Sequence, residues 1–221
     1  CNLLCRFCQN CDISHERAGR DIDHYRLADI MLDMQDTGVS NINFVTPTHF
    51  SPQLIRAVMK AKDNGLKIPI VYNSSGYDKV DTLKYWEGLV DIYMPDLKFV
   101  DPEKSKRYTE AEIYFEIASE AVIEMHRQVG DLLVENETAV RGLLIRHLIL
   151  PEDQSDTKQI FDFIADTIGT DTYLNLMEQY RPAFKAYDFP LLSRRINSEE
   201  YQYYISYARE RGFYRPYYLF E

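Results

Sequence analysis

The sequence predicts an α/β fold, a partial (β/α)6 TIM-like barrel with parallel strands. Three observations predict it. Short β-branched or apolar runs alternate with helical patterns along the chain, which is the mark of successive βα units. Polar residues gather directly after those runs, where a parallel barrel collects its ligands. With 221 residues, 45% hydrophobic and 13% aromatic, the chain is long enough to bury one sizeable core. No Gly/Ser linker, repeat array or low-complexity stretch divides it, so residues 1–221 are expected to form a single domain.

Taken in order, the first visible strand is NINFVT, Asn41 to Thr46. It is preceded by a helix whose Leu27, Ile30, Met31 and Met34 share one face, ended by Gly38. A second helix carries Leu54, Ile55 and Val58, with Ser51 as its N-cap, Pro52 at the first helical position and Gly65 as its stop. The next strands are IPIVYN (Ile68 to Asn73) and VDIYM (Val90 to Met94). The longer gap that follows is expected to hold two helices between Pro102 and Glu135. LLIRHLIL (Leu143 to Leu150) and TYLNLM (Thr172 to Met177) complete five strands, with helices at Asp156 to Ile168 and Ser198 to Arg211. The sequence opens on Cys1 rather than Met. A cysteine loop in such a layout follows a strand, so the first strand of the six is expected to lie before Cys1.

Composition excludes several classes. Twenty-five Lys and Arg face 35 Asp and Glu, a net charge of −10, which disfavours a broad phosphate-binding surface and hence nucleic acid. There is neither an apolar run long enough for a bilayer nor a charged start followed by a signal-peptide core. No membrane association and a cytoplasmic location are expected.

All four cysteines fall in CNLLCRFCQNC, Cys1 to Cys11. A disulfide framework spreads its cysteines along the chain, and such close spacings make poor bridges. A metal site is the better reading. Cys1, Cys5 and Cys8 form C-x3-C-x2-C, and three thiolates on a four-iron cube leave one iron open for chemistry. Counting Cys11 makes a four-cysteine run that would suit structural zinc or a fully ligated electron carrier. Otherwise Cys11 is a free, partly buried thiol.

The segment CNLLCRFCQN resembles the cluster loop of radical S-adenosylmethionine (SAM) proteins. Its form C-N-L-x-C-x-F-C-Q-N is similar to that of the pyruvate formate-lyase-activating-enzyme branch, and the likeness extends along almost the whole chain. The resemblance implies a 4Fe-4S cluster on Cys1, Cys5 and Cys8, and SAM as cofactor. It also implies reductive cleavage to a 5′-deoxyadenosyl radical. Phe7 would lie by the adenine, or else act as a core aromatic shielding the cluster. The implied partners are a glycyl radical enzyme, whose glycine gives up the hydrogen atom, and a reduced flavodoxin- or ferredoxin-like electron donor. A different oxidoreductase or peptide-modifying role on the same scaffold is the alternative, and a non-catalytic zinc or iron–sulfur protein is a third.

Four strand ends carry the remaining candidates. TPTHF follows the first strand, and Thr46, Pro47 and Thr48 stand where the resemblance places a Gly-rich segment holding the SAM amino group. His49 there reads as a local hydrogen-bonding residue. NSSG follows the second strand; it is ordinary turn chemistry, and its position makes Asn73 and Ser74 candidates. In MPDLK, Met94, Asp96 and Lys98 alternate and so point to one side. Charges on an inward face need each other or a charged ligand. The resemblance implies SAM there, with a monovalent cation. Arg146 lies inside LLIRHLIL, where a cation is costly without an anion, and the resemblance assigns it to the methionyl carboxylate. Gln179 or Tyr180, after the last strand, stands where the resemblance places a ribose-contacting residue. The aromatic tail RGFYRPYYLFE reads as a satellite core or a docking surface.

Overall fold

The computed structural model describes residues 1–16 and 18–215. In chain order the elements are α1 (Cys11–Ser14), α2 (His24–Asp36), β1 (Ile42–Val45), α3 (Ser51–Asp63), β2 (Ile70–Ser74), α4 (Val80–Lys84) and β3 (Ile92–Pro95). There follow α5 (Pro102–Thr109), α6 (Tyr114–Val129), β4 (Leu133–Glu135), β5 (Thr138–Leu148), α7 (Thr157–Phe163), β6 (Tyr173–Met177) and α8 (Ser198–Glu210). The sheet is mostly parallel: β1 pairs with β2, β2 with β3, β3 with β5 and β5 with β6, all in parallel register. This is the mixed α/β architecture that the alternation predicts. Among the described strands β6 does not return to β1, so the sheet stays open rather than closing.

All five expected strands form, four of them within two residues of the expected ends and the fourth in chain order shifted further. The fourth begins earlier and ends earlier than Leu143 to Leu150, because β5 runs from Thr138 to Leu148. Its first residues pair antiparallel with β4, so the tail of the segment expected to be helical is a strand. Asn136 and Glu137 between them both have positive φ, 47° and 63°, the conformation of a tight type I′ hairpin whose twist matches paired strands. The expected Ser51 cap is also corrected. Phe50 occupies the N-cap position without a side-chain bond. Ser51 is inside the first turn, and its hydroxyl donates to the Thr48 carbonyl (3.0 Å) and accepts from the Trp86 indole (3.0 Å). Asp156 leads into α7, which ends in a π-type turn at Ile164–Ile168.

The core lies between the sheet and the helices packed on one side of it. Tyr72, Trp86, Tyr93, Phe99, Tyr108, Tyr114 and Phe161 are fully buried. Three of these aromatics meet around Tyr72, with Trp86 and Tyr93 at ring centroids of 5.4 and 5.5 Å; such offset and edge-on pairs add to simple area burial. Of the tail, Phe213 is buried against Phe161 (6.0 Å), which supports the satellite-core reading for that residue. Residues 216–221 of the tail lie outside the described residues. No helix of the described residues is long and apolar enough to cross a membrane.

Candidate cofactor site over the strand ends

Up to Asn10 the cysteine loop forms neither helix nor strand, and its side chains and backbone dock it on two elements. The amide of Asn2 donates to the Tyr77 carbonyl (2.6 Å), and its side-chain oxygen accepts from Ser75 (3.1 Å). Opposite, the Leu4 and Arg6 N–H groups donate to the Thr109 and Tyr108 carbonyls at 3.1 and 2.8 Å. These are the last carbonyls of α5, which lack partners inside the helix. Leu3 and Phe7 turn inward and are buried. The loop is thereby stretched from the β2–α4 connection to the end of α5, across the carboxyl ends of the strands.

Cys5 is buried and Cys8 half-buried, with a tight turn between them closed by Cys8 N–H to Cys5 carbonyl (3.2 Å). Cys1 is exposed, and all four cysteines are free thiols. Burial pushes the Cys5 thiol up to about 11, while the nearby Lys98 ammonium pulls the other way. Among the described residues no three His, Cys, Asp or Glu side chains converge closely enough to hold a metal ion. The fit to a cluster therefore rests on the donor set, three soft thiols in one loop with a cation beneath them, since thiolates are what iron–sulfur clusters require. Cys8 Sγ also sits 3.2 Å from the Ser14 hydroxyl.

Beneath the loop lies a buried charge network. Asp96 Oδ2 accepts from Lys98 (2.6 Å), and Oδ1 lies 2.7 Å from the Arg146 guanidinium, off the N–H axis. Arg146 donates to the Asn73 side-chain oxygen (2.7 Å). Burial works to raise the Asp96 carboxyl, but Lys98 and then Arg146 outweigh it and hold it below the ordinary carboxylate range. Burial likewise opposes the Lys98 ammonium, and Asp96 holds it above its ordinary range. The backbone supports the same grouping: Asp96 N–H donates to Ser74 and Leu97 N–H to Arg146, at 3.0 and 2.9 Å. Two cations thus share one carboxylate, and Arg146 Nε is buried without a partner. An excess positive charge with an unused buried donor suits an added carboxylate ligand.

The structure brings Asn73, Asp96, Lys98 and Arg146 together, with Cys5 in electrostatic reach. Ser74 and Thr48 both donate to Asp78, at 2.7 Å each. Thr46 takes a positive φ of 54° and its N–H donates to the Asn73 carbonyl (2.7 Å), so the Thr46–Pro47–Thr48 turn lies against the end of β2. Met94 lies on the same face of the sheet as Asp96, opposite Asn73 in the β2–β3 register, and packs with Val71, Ile92 and Leu132. Phe7 meets Phe99 and Tyr180 edge-on, at 6.3 and 6.1 Å, in the core below the loop. Gln179 is exposed beyond the end of β6 and takes no part in the network; Tyr180 is buried and donates to the Leu192 carbonyl (2.7 Å). His49 stands beside Phe50 with ring centroids at 4.3 Å.

Sequence reasoning missed three residues. Asn2 anchors the loop, and its place in C-N-L was the signal. Tyr114 is fully buried, its hydroxyl 2.7 Å from the Ser75 carbonyl and 2.8 Å from that of Asp96. It clamps the β2–α4 turn to the end of β3, and nothing near it in sequence announces this. Gly76 in that turn has φ of 76°, and a Cβ there would lie 2.3 Å from the Asp96 carbonyl oxygen. The third is Asp78.

No family model matches the chain. It is 32% identical over 210 residues to uncharacterized protein MJ0674 of Methanocaldococcus jannaschii, covering 90% of this chain but 57% of that relative's length. Among solved structures, SuiB of Streptococcus suis, bound to its precursor peptide SuiA, matches 95% of this chain and 43% of its own, with TM-score 0.63 and 12% identity. A domain of the pyruvate-formate lyase-activating enzyme from Bacteroides vulgatus matches 78% of this chain and 94% of its own, with TM-score 0.53 and 12% identity. The FeFe-hydrogenase maturase HydG from Carboxydothermus hydrogenoformans matches 96% of this chain and 49% of its own, with TM-score 0.57 and 12% identity. The chain has the fold of the radical SAM superfamily, with a pyruvate formate-lyase-activating-enzyme domain among its structural neighbours.

Proposed function

We propose that this chain is a radical SAM enzyme that holds a 4Fe-4S cluster through Cys1, Cys5 and Cys8. The observation that carries the reading is the docking of the cysteine loop directly over the Asp96, Lys98 and Arg146 charges. When bound, the cluster and SAM supply a one-electron reductive cleavage that yields methionine and a 5′-deoxyadenosyl radical. The protein binds and orients. Arg146, through its unpartnered Nε, receives the methionyl carboxylate, while Asn73 fixes the guanidinium from the opposite side. Lys98 and Asp96 keep the floor of the site charged but internally paired, so it stays ordered before any ligand arrives. Leu3 and Phe7, buried under the loop, exclude water from its inner side. The monovalent cation that the resemblance implies lacks this kind of support, since both Asp96 oxygens already face cations of the chain.

The hydrogen atom comes, in this reading, from a glycine of a glycyl radical enzyme, and the electron from a reduced flavodoxin- or ferredoxin-like protein in the cytoplasm. The C-N-L-x-C-x-F-C-Q-N loop and the likeness to the activating-enzyme domain support it. A second reading, modification of a peptide, is favoured by the likeness to SuiB, whose structure is bound to a precursor peptide. The test is anaerobic reconstitution with iron and sulfide, reduction, and addition of SAM. About four irons per chain with formation of 5′-deoxyadenosine is the expected result; stoichiometric zinc, or a cluster that never cleaves SAM, overturns it. Electron paramagnetic resonance of candidate partners then separates the two readings, a glycyl doublet on a partner enzyme favouring the first.

A further inference from the structure

We propose that Asp78 is a positioning residue that fixes the two strand-end loops facing SAM, acting through Thr48 and Ser74 and not by touching the cofactor. The inference rests on the radical SAM reading and deepens it. Asp78 is 1% exposed. Its carboxylate accepts from three hydroxyls: Thr48 (2.7 Å) and Tyr72 (2.9 Å) on Oδ1, and Ser74 (2.7 Å) on Oδ2. Burial works to raise its pKa and these hydroxyls oppose that without cancelling it. A buried carboxylate satisfied by neutral hydroxyls is an expensive way to fill a core position, so its value lies in what it orders.

What it orders is the candidate site. Thr48 belongs to the turn after β1, while Tyr72 and Ser74 belong to β2, so one carboxylate ties two strand ends. A carboxylate only accepts, which commits every hydroxyl proton toward it and frees each oxygen's lone pairs for other donors. Ser74 Oγ accepts from Gly76 N–H (3.1 Å), in the turn whose Gly76 lies against the Asp96 carbonyl. On the other side the Thr46 N–H donates to the Asn73 carbonyl (2.7 Å), and Asn73 holds Arg146. Ser51, donating to the Thr48 carbonyl and accepting from Trp86, braces the same turn from the core. Asp78 therefore reaches both Asp96 and Arg146 through a single intervening turn or strand end.

The experiment uses the full, anaerobically reconstituted chain and measures the equilibrium Kd for SAM, with iron content, melting temperature and the split of KM from kcat alongside. Asp78→Ala is expected to weaken SAM binding roughly tenfold, the scale of losing a hydrogen bond to a charged group, with iron content kept. Asp78→Asn is expected to restore most of the affinity, because each hydroxyl can donate or accept and so can meet an amide. Should Asp78→Ala fail to fold, Thr48→Val decides: it cuts the tie between the loops at constant shape and is expected to raise KM for SAM more than it lowers kcat. Wild-type affinity in Asp78→Ala, or in Thr48→Val where Asp78→Ala does not fold, overturns the proposal. So does a loss of affinity that merely follows a loss of iron or of melting temperature. Failure of the wild-type protein itself to bind SAM overturns the radical SAM reading, and this inference with it.

Discussion

At the scale of single residues, the four cysteines are chemically alike and differently placed, which makes their substitution informative. Cys5 is buried beside Lys98, whereas Cys11 is half-buried and begins the short α1. Cys5→Ala is expected to abolish iron–sulfur binding and 5′-deoxyadenosine formation while costing the apoprotein about 1 kcal/mol, the scale of a small core deletion. Cys11→Ala should keep both iron and activity. Full turnover by Cys5→Ala would remove the cluster assignment. The charged candidates were legible because Asp96, Lys98 and Arg146 interrupt apolar strands and demand partners. Asp78, Asn2 and Tyr114 were not, because their partners come from distant turns and hydroxyls that no local pattern marks.

His147 supplies a second test at this scale. It is fully buried in β5, its Nδ1 2.7 Å from the Leu97 carbonyl and its Nε2 2.9 Å from the Thr157 hydroxyl, an arrangement that suits a neutral ring donating to one and accepting from the other. Burial, only partly offset by the Leu97 carbonyl, pushes its pKa down to about 4 from an ordinary 6.5. Between those values the unfolded chain binds a proton that the folded chain does not, so the stability due to this residue is complete above pH 6.5. It is lost progressively as pH falls to about 4, by at most about 3 kcal/mol. Denaturant titrations at pH 7.5 and 5 should show a shallower pH dependence in His147→Gln than in wild type. Identical slopes would refute it.

At the scale of elements, the parallel strands announced themselves as short runs of apolar and β-branched residues, while β4 did not. It is three exposed residues, too short to stand out, and its hairpin uses Asn136–Glu137 rather than the glycine turn that sequence reading looks for. The joint is nevertheless specific. Gly142 in β5 has φ of 118°, and a Cβ there would meet the Asp131 carbonyl oxygen at 2.3 Å and the Leu132 Cα at 2.5 Å. Gly142→Ala is expected to cost about 1–3 kcal/mol from backbone strain alone, with the clash added to it. That lowers the melting temperature by roughly 2–4 °C per kcal/mol in a chain of this size. An unchanged melting temperature would show that β4 swings away freely.

At the scale of the whole molecule, the site is assembled from the cysteine loop and the ends of β1, β2, β3 and β5, so it exists only in the folded chain. The alternation of strands and helices made that architecture readable, but the meeting of Asn73 with Arg146 across β3 depends on register, which a hydrophobic pattern does not specify beyond the choice of face. A ligand that binds only the folded state stabilises it by mass action, about 2.7 kcal/mol when present at about 100 times its Kd. With the same size scaling, SAM at that excess should raise the melting temperature of the reconstituted protein by roughly 5–10 °C. Arg146→Met leaves Asp96 paired with Lys98, and so should still fold, but it removes the group that meets the methionyl carboxylate. The SAM-induced rise should then shrink to a small fraction of the wild-type value while the iron count stays the same. An undiminished rise in Arg146→Met would place the carboxylate of SAM elsewhere, whereas a rise lost together with iron would make Arg146 a support of the cysteine loop.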